Sequence, residues 1–294
     1  MRSGFVSIIG RPNVGKSTLL NALVSEHIAI VSNKPGTTRN VIQGIYNDDE
    51  HQIVFVDTPG LHKPINKLGK VLNKQASSLT RNVDLILFVV DASEHLGKGD
   101  LFIMENLRKS EVPIVLILNK VDLISKEKVL EKIVEYKDLL DFCEIVPLSA
   151  AKNDNLDRLM NVIRNFMVDE CRYFDVGQKT SSSKLFMISE FVREKLLWVT
   201  EEEIPHRITC VTTHFEEKEK IANAVVEIIV DRDSLKRIII GHKGERLKEV
   251  GTRARKDIEK LLGKKVYLEL FVKTIKDWRN KDNKLLELGF KDSE

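Results

Sequence analysis

A short apolar run at residues 5–9 leads directly into Gly-Arg-Pro-Asn-Val-Gly-Lys-Ser at residues 10–17, which matches the pattern G-x-x-x-x-G-K-[ST] in full. This pattern needs a strand, a tight loop and a helix in that order, because amides of the loop and of the helix N-terminus surround a phosphate. The neighbouring residues predict that context, with a strand at 5–9 and a helix at 17–23. We therefore expect nine nucleotide-binding residues, of which 13–18 point their amides at the phosphates: Gly10, Arg11, Pro12, Asn13, Val14, Gly15, Lys16, Ser17 and Thr18.

Two side chains of this loop have defined chemical roles in the motif. The lysine, here Lys16, neutralises the β- and γ-phosphates of a nucleoside triphosphate. The hydroxyl of the following residue, here Ser17, is a ligand for Mg²⁺. The sequence therefore predicts a magnesium-dependent nucleotide site at the N-terminus of the first helix.

The rest of the first half alternates apolar runs with helical patterns. We predict strands at residues 41–46, 52–56, 85–90, 114–118 and 145–148, and helices at 101–109, 126–140 and 156–167. Runs such as 85–90 are apolar throughout, which is typical of strands that are buried on both faces. The order predicts an α/β fold class: a mostly parallel sheet with helices on both faces and a hairpin at 41–56. Ligands of such sheets bind beyond the carboxyl ends of the strands.

The strand at 52–56 is followed by Asp57, Thr58, Pro59 and Gly60. A carboxylate at this position holds Mg²⁺, usually through water, so we assign Asp57 to the metal together with Ser17. A glycine amide can approach the γ-phosphate without a side-chain clash. The four residues and the next one, Leu61, are therefore predicted to contact the nucleotide.

The strand at 114–118 is followed by four candidate base-binding residues, Asn119, Lys120, Val121 and Asp122. The Asp122 carboxylate can accept two hydrogen bonds from guanine, which adenine lacks the donors to make, so this loop predicts guanine specificity. The stem of Lys120 can cover the base, and Asn119 can tie the loop to the phosphate loop. After the strand at 145–148, a backbone amide of Ser149 or Ala150 can donate to the guanine O6 atom.

Length and composition limit the remaining possibilities. The chain has 294 residues, of which 42% are hydrophobic and 31% charged, which fits about two soluble domains of ~150 residues. No apolar run approaches the ~18 residues of a membrane span, and the first one is too short for a signal peptide, so we expect a cytoplasmic protein. The polar stretch 176–183 predicts a boundary between domains 1–177 and 178–294.

Cysteine and histidine spacing gives no metal site of its own. The three cysteines contain no Cys-x-x-Cys pair, which indicates reduced thiols. His206, Cys210 and His214 are four apart in a predicted strand, where neighbours lie ~13 Å apart at ~3.3 Å per residue. Zinc ligands lie ~2 Å from the ion, so these three residues cannot share one.

The second half carries a concentration of Lys and Arg at residues 232–265. We predict a long amphipathic helix at 185–199, strands at 207–213, 224–230 and 266–272, and a helix at 245–262. An apolar run at 235–240, interpreted as a strand, leads into Gly-His-Lys-Gly at 241–244. A Gly-x-x-Gly loop before a basic helix is the recurring feature of the KH fold, which binds RNA. The candidate RNA-binding residues are Ile240, Gly241, His242, Lys243, Gly244, Arg246, Arg253 and Lys256.

We expect this surface to bind both the phosphates and the bases of RNA. The loop lysine and the basic residues of the helix would neutralise phosphates, while an apolar groove of residues 238–240 and Leu247 would hold bases. A solvated basic helix face is the alternative interpretation of the same residues.

The four motifs of the first half, in this order, resemble the translation-factor-related GTPases. That resemblance implies a switch threonine at residues 34–39, either Thr38 or Thr37, which closes over Mg²⁺ and the γ-phosphate. It implies Thr38 as a third metal ligand beside Ser17 and Asp57, and Lys16, Thr38 and Asn13 as the catalytic residues. Ras-like enzymes have a glutamine after the motif glycine; here Leu61 and His62 stand there. Asn13 is similar to an asparagine that helps some such GTPases bind K⁺.

The combination of the two halves is similar to the Era family, bacterial GTPases with a C-terminal KH domain. The resemblance covers nearly the whole chain and includes residues 10–21, 57–62, 241–244 and the tail at 276–280 and 288–290. It implies GTP hydrolysis, binding to the 3′ end of 16S rRNA, assistance of small (30S) ribosomal subunit assembly, peripheral association with the inner membrane and a monomeric state. Gly36 departs from the family, in which glutamine is common. The alternative is a signalling GTPase whose second domain binds another RNA or a protein.

Overall fold

The computed structural model describes residues 1–34, 36–60, 66–78, 82–201 and 204–290. In the first half they form a six-stranded sheet in the order β2-β3-β1-β4-β5-β6. Its strands are β1 (Arg2–Ile9), β2 (Ile42–Asn47), β3 (His51–Asp57), β4 (Leu85–Asp91), β5 (Ile114–Asn119) and β6 (Glu144–Pro147). Strand β2 is antiparallel to β3, and the other pairs are parallel. The predicted mostly parallel sheet with a hairpin is confirmed.

Four helices connect these strands, namely α1 (Lys16–Val24), α2 (Lys67–Ser78), α3 (Lys98–Leu107) and α4 (Lys126–Tyr136), and α5 (Leu156–Arg164) follows β6. Every residue of β4 and β5 is buried, because hydrophobic clusters cover both faces of the sheet. Helix α4 ends at Tyr136, four residues earlier than predicted. The chain turns there because Leu139, Leu140 and Phe142 pack onto the same hydrophobic cluster as Tyr136.

The second half contains a three-stranded sheet of β7 (Ile208–Glu217), β8 (Ile221–Val230) and β9 (Lys265–Thr274). Its helices are α6 (Lys184–Val199), α7 (Asp233–Ile240), α8 (Glu245–Leu262) and α9 (Asp282–Glu287). The strand interpretation of residues 235–240 is wrong, because this run is helix α7. Its buried residues are Leu235 and Ile239, whose spacing of four is helical.

Helix α6 is not amphipathic in the way that the sequence pattern predicted. Its residues from 187 to 197 are all buried, including the four charged side chains Glu190, Arg193, Glu194 and Lys195. One face packs on the second sheet and on α8, and the charged face lies against residues 27–37 of the first half. Both faces are therefore covered, and one hydrophobic cluster is shared by the two halves.

The polar stretch at 176–183 runs along the edge of the first sheet. Lys179 O accepts a hydrogen bond from Ile45 N at 2.8 Å, and Thr180 Oγ1 donates to Gln43 O at 2.7 Å. Ser183 then caps α6 by accepting from Phe186 N. We propose that the domain boundary lies within this stretch, with residues up to Ser181 attached to β2.

The C-terminal tail packs on both halves. Trp278 is fully buried and stacks on Phe290, with ring centroids 6.1 Å apart. Both rings share a cluster with Leu68 and Leu72 of α2. Over the residues described, no helix combines the length and the apolar character needed to cross a membrane.

Candidate functional site

The predicted phosphate loop borders a cleft of about 260 Å³ at the carboxyl end of β1. Gly15, immediately before α1, has φ +98°, and a Cβ atom there would lie 2.2 Å from Asn119 Nδ2. Only glycine fits this position, because both the backbone angle and the neighbouring amide exclude a side chain. The phosphate loop therefore packs directly against the loop at residues 119–122, which carries the predicted base-binding residues.

Lys16 is buried in this loop. Its Nζ donates to the carbonyl oxygens of Gly10 at 3.1 Å and Arg11 at 2.9 Å. Burial lowers the pKa of Lys16 to about 8, against the opposing effect of the Asp57 carboxylate. The ammonium group is therefore held at the position where a phosphate would be bound, and anionic phosphate oxygens would favour its charged form.

Ser17, Thr38 and Asp57 converge from three different segments. Ser17 Oγ lies 2.8 Å from Thr38 Oγ1 and donates to Asp57 Oδ2 at 2.7 Å. Asp57 Oδ1 is buried and has no hydrogen-bond partner among the described residues, and burial raises the pKa of this carboxyl. Two hydroxyls and a desolvated carboxylate are hard oxygen ligands, so the three residues fit a Mg²⁺ ion.

The geometry distinguishes the two switch threonines. Thr38 points to the metal-binding oxygens, with Oγ1 3.4 Å from Asp57 Oδ2. Thr37 instead donates through its hydroxyl to Lys34 O at 2.6 Å. Of the two, only Thr38 has its hydroxyl beside both Ser17 and Asp57.

The segment after β3 closes on the phosphate loop. Thr58 Oγ1 donates to Ile8 O at 3.1 Å, and Pro59 is buried. A Cβ atom at Gly60 would lie 2.9 Å from both Cγ and N of Pro12, so a larger residue would push the two loops apart. Leu61 and His62 lie outside the described residues.

Asn119 holds the base-binding loop in place. Its Nδ2 donates to Val14 O at 2.8 Å, and its Oδ1 accepts from Ala150 N at 3.0 Å. The Ala150 amide is thus engaged within the protein, and its donation to guanine O6 stays a prediction. Ser149 is buried and caps the turn at 150–152.

Lys120 bridges this loop to two others. Its Nζ contacts Asp91 Oδ2 at 2.6 Å and donates to Asn13 O at 2.8 Å. The side chain therefore links this loop to the end of β4 and to the phosphate loop, and its cover of a base stays a prediction. Asp122, in the turn Val121–Leu123, is exposed in the ligand-free chain and accessible to a base. Asp91 was not anticipated from the sequence, because only the fold brings the end of β4 beside Lys120.

The cleft also includes residues that the motifs did not indicate. Its wall includes the stretch before the predicted switch residues 34–39, namely Ile30, Val31, Ser32 and Asn33. Asn13 Nδ2 donates to Asn33 O at 2.8 Å, which joins the phosphate loop to this wall. No sequence signal marks these residues, since they match no motif.

The Arg11 side chain does not lie at the phosphate site. Its guanidinium donates to Asp100 Oδ1 and to Glu94 Oε2, both at 2.8 Å, and Asp100 is fully buried. The prediction of a nucleotide contact therefore applies only to the backbone of Arg11. Its side chain fastens the loop to the start of α3.

The Gly-x-x-Gly loop connects α7 to α8. Gly241, Lys243 and Gly244 all have positive φ angles, of 74°, 48° and 83°. His242 and Lys243 are exposed at the N-terminus of α8, where the helix dipole favours anions. The predicted apolar groove needs a correction: Ile239 is buried in the core, which leaves Ile238, Ile240 and Leu247 partly accessible.

The candidate basic residues fall on two flanks of α8. A Cβ atom at Gly251 would lie 3.3 Å from Leu270 Cδ1, so this side of the helix faces β9. At ~100° per residue, Lys248 and Arg255 share the β9 flank, Arg246 and Arg253 lie on the opposite flank, and Lys256 lies between the two. Arg253 pairs with Glu249 at 2.7 Å, and Arg246 donates to Ile238 O at 2.6 Å.

Both halves of the chain match known protein families. Residues 5–120 match the 50S ribosome-binding GTPase family, and residues 203–279 match the KH domain family. The structure is similar to Era from Aquifex aeolicus bound to GDP and AlF4⁻, with 39% identity and a TM-score of 0.95. It is also similar to an Era complex with MgGDPNP and nucleotides 1506–1542 of 16S ribosomal RNA, with 38% identity and a TM-score of 0.93. Each match covers 99% of both chains, and the chain therefore belongs to the Era family of GTPases.

Proposed function

We propose that this GTPase is a molecular switch that binds the 3′-end region of 16S rRNA and assists assembly of the small ribosomal subunit. The observation that carries the proposal is the similarity over 99% of both chains to Era in complex with nucleotides 1506–1542 of that RNA. The exposed Gly-x-x-Gly loop at the start of α8 supports it, because this loop is the phosphate-binding feature of KH domains.

The proposed roles in the nucleotide site follow the geometry. Lys16 neutralises the β- and γ-phosphates, and Asp122 reads guanine. Ser17, Thr38 and Asp57 hold Mg²⁺, which when bound supplies positive charge to the phosphates. The remaining predicted contacts are made by the backbone of the phosphate loop, of residues 57–60 and of the loops after β5 and β6.

The charge that develops on the phosphates during hydrolysis is stabilised in some GTPases by an arginine finger, and a monovalent cation can do part of the same work. We propose that Asn13, which already joins the phosphate loop to Asn33 O, takes part in binding K⁺ there. The test is the hydrolysis rate in KCl and in NaCl at equal ionic strength. A stimulation by K⁺ that Asn13→Ala abolishes supports the role, and equal rates in both salts contradict it.

The RNA groove is proposed to lie between α8 and the edge strand β9. Partly accessible apolar residues, among them Leu247 and Leu270, would contact bases, and Lys243, Lys248 and Arg255 would contact phosphates. This assignment gives a matched pair of variants. Lys248→Glu should weaken RNA binding strongly, whereas Arg253→Glu, an equal change of charge on the other flank, should weaken it less.

The function is tested with RNA fragments. A single-stranded fragment with the sequence of the 16S rRNA 3′ end should bind at least ten times more tightly than a scrambled sequence at equal salt. Equal affinities would favour the alternative, in which the second domain binds another RNA or a protein. Peripheral membrane association and a monomeric state stay predictions, which vesicle co-sedimentation and light scattering would test.

A further inference from the structure

The charged face of α6 contacts residues 27–37. We call this stretch, together with Thr38 and Arg39, the switch segment. Glu194 Oε1 accepts from Val31 N at 2.8 Å and contacts His27 Nε2 at 3.1 Å. Trp198 Nε1 donates to Val31 O at 3.1 Å. Lys195 neutralises Glu194 and Asp257, with both distances 2.6 Å, so this carboxylate cluster already holds a cation.

Arg193 makes the contact nearest to the metal-binding oxygens. Its guanidinium is 99% buried, and Glu190 fixes it with two hydrogen bonds of 2.7 and 2.6 Å. The same guanidinium donates to the carbonyl oxygen of Thr37. Glu190 therefore orients the guanidinium toward the Thr37 carbonyl oxygen.

Thr38 is held on both sides. The preceding residue, Thr37, is bound by Arg193. The following residue, Arg39, donates to the carbonyl oxygens of Pro205 and Ile208 at the start of β7. These contacts leave the Thr38 hydroxyl 2.8 Å from Ser17 Oγ. The position of the threonine is thus determined by residues of the second half of the chain.

We propose that Arg193 is a positioning residue for GTP hydrolysis, which acts through Thr37 to hold Thr38 over the metal and the γ-phosphate. The proposal rests on the function proposed above for Thr38. It makes the second half of the chain a structural part of the nucleotide site, rather than a separate RNA-binding module.

The nucleotides themselves distinguish positioning from general packing. GDP has no γ-phosphate, so its binding does not need Thr38 in place. A residue that only stabilises the interface would change GDP and GTP-analogue affinities together. A positioning residue changes the rate of GTP hydrolysis and the affinity for a non-hydrolysable GTP analogue, and leaves GDP affinity unchanged.

The test uses the full chain with Arg193→Lys, which keeps the charge but loses the planar fork. We expect the GTP hydrolysis rate and the analogue affinity to fall on the order of tenfold, with GDP affinity unchanged. Glu190→Gln keeps the side-chain size but weakens the hold on the Arg193 guanidinium. It should lower the hydrolysis rate and the analogue affinity in the same direction. Arg164→Lys, at an arginine of α5 that pairs with Asp48 in the turn between β2 and β3, is the control and should change neither.

The variant Thr38→Ala distinguishes the proposed role of Thr38 from the positioning role of Arg193. If Arg193 acts through Thr38, adding Arg193→Lys to Thr38→Ala should cause little further loss. If Thr38→Ala leaves hydrolysis unchanged, the proposed role of Thr38 is wrong. If Thr38→Ala slows hydrolysis but Arg193→Lys and Glu190→Gln do not, or if they weaken GDP and analogue binding equally, only the positioning role is overturned.

Discussion

The side-chain oxygens of Ser17 and Thr38 lie 2.8 Å apart although 21 positions separate the two residues in the chain. Ser17 belongs to the first turn of α1, and Thr38 to an irregular segment that α6 holds in place. Both oxygens face Asp57 at the end of β3. The proposed metal ligands, the switch segment and helix α6 of the second half therefore lie next to one another.

Guanine specificity should depend on Asp122. In Asp122→Asn an acceptor is replaced by an amide, which can donate to the C2 carbonyl of xanthine but cannot accept both guanine donors. We expect GTP affinity to fall about 10–100-fold, with a relative gain for XTP. Competition binding of the two nucleotides measures this, with Asp138→Asn, on an exposed turn, as the control. Unchanged GTP affinity would mean that this loop does not read the base.

Nucleotide binding should take up a proton on Lys16. The pKa of Lys16 is about 8 in the ligand-free chain, and bound phosphate favours the charged form. Affinity for GDP should therefore be constant below about pH 8 and fall by up to ~10-fold per pH unit above it, since the neutral amine must first be protonated.

Titration calorimetry in two buffers of different ionisation enthalpy gives the number of protons taken up. That number should be near zero at about pH 7 and should rise above about pH 8. Lys16→Arg, whose guanidinium stays charged in this range, is the control. Proton uptake that is the same at both pH values would contradict the assignment to Lys16.

The exposed lysine of the Gly-x-x-Gly loop should contact an RNA phosphate. Lys243→Asp reverses the charge, so we expect weaker RNA binding and a salt slope reduced by about 1. Guanine nucleotide affinity should stay the same, because the loop is remote from the phosphate loop. Lys137→Asp, at an exposed position of the first half, is the matched control. If both variants bind RNA alike, the loop is not part of the RNA site.

Removing the buried indole of Trp278 should destabilise the chain. The ring is fully buried and packs with Phe290 against Leu68 and Leu72 of α2. Trp278→Ala leaves a cavity, and such changes cost about 3–5 kcal/mol of unfolding free energy. Denaturant unfolding measures the loss. Tyr267→Ala, at a position with 57% exposure, should cost less than about 0.5 kcal/mol.

RNA affinity should depend on the bound nucleotide. Two segments that follow nucleotide-binding motifs, and that we expect to change with the bound nucleotide, touch the second half. The segment around Thr38 contacts α6, and Lys67 at the start of α2 pairs with Asp282 at 2.6 Å. Typical couplings between such sites are about 5–150-fold, and RNA must change GTP affinity by the same factor. RNA affinities measured with a GTP analogue, with GDP and without nucleotide test this. If the three RNA affinities are equal, the two halves of the chain bind nucleotide and RNA independently.

The sequence by itself determined the family, the order of strands and helices in the first half, and the identity of the motif residues. These features are local, because each motif must follow a strand directly and its chemistry depends on residue type and spacing. Gly15 and Gly60 could be anticipated in the same way, since close approach to a phosphate leaves no room for a side chain.

Only the tertiary structure decided the partners of Arg193, Asp91 and Arg11. Charged residues four positions apart on a helix, such as Glu190 and Glu194, are typical of a solvent-exposed face. Nothing in the spacing of the charges on α6 indicates that the first half of the chain covers them. The run Leu235–Ile240 was misassigned for a similar reason. Three adjacent isoleucines suit a strand, but the packing of Leu235 and Ile239 against the second sheet selects a helix. Contacts between residues far apart in the chain depend on how the elements pack, and no local pattern records them.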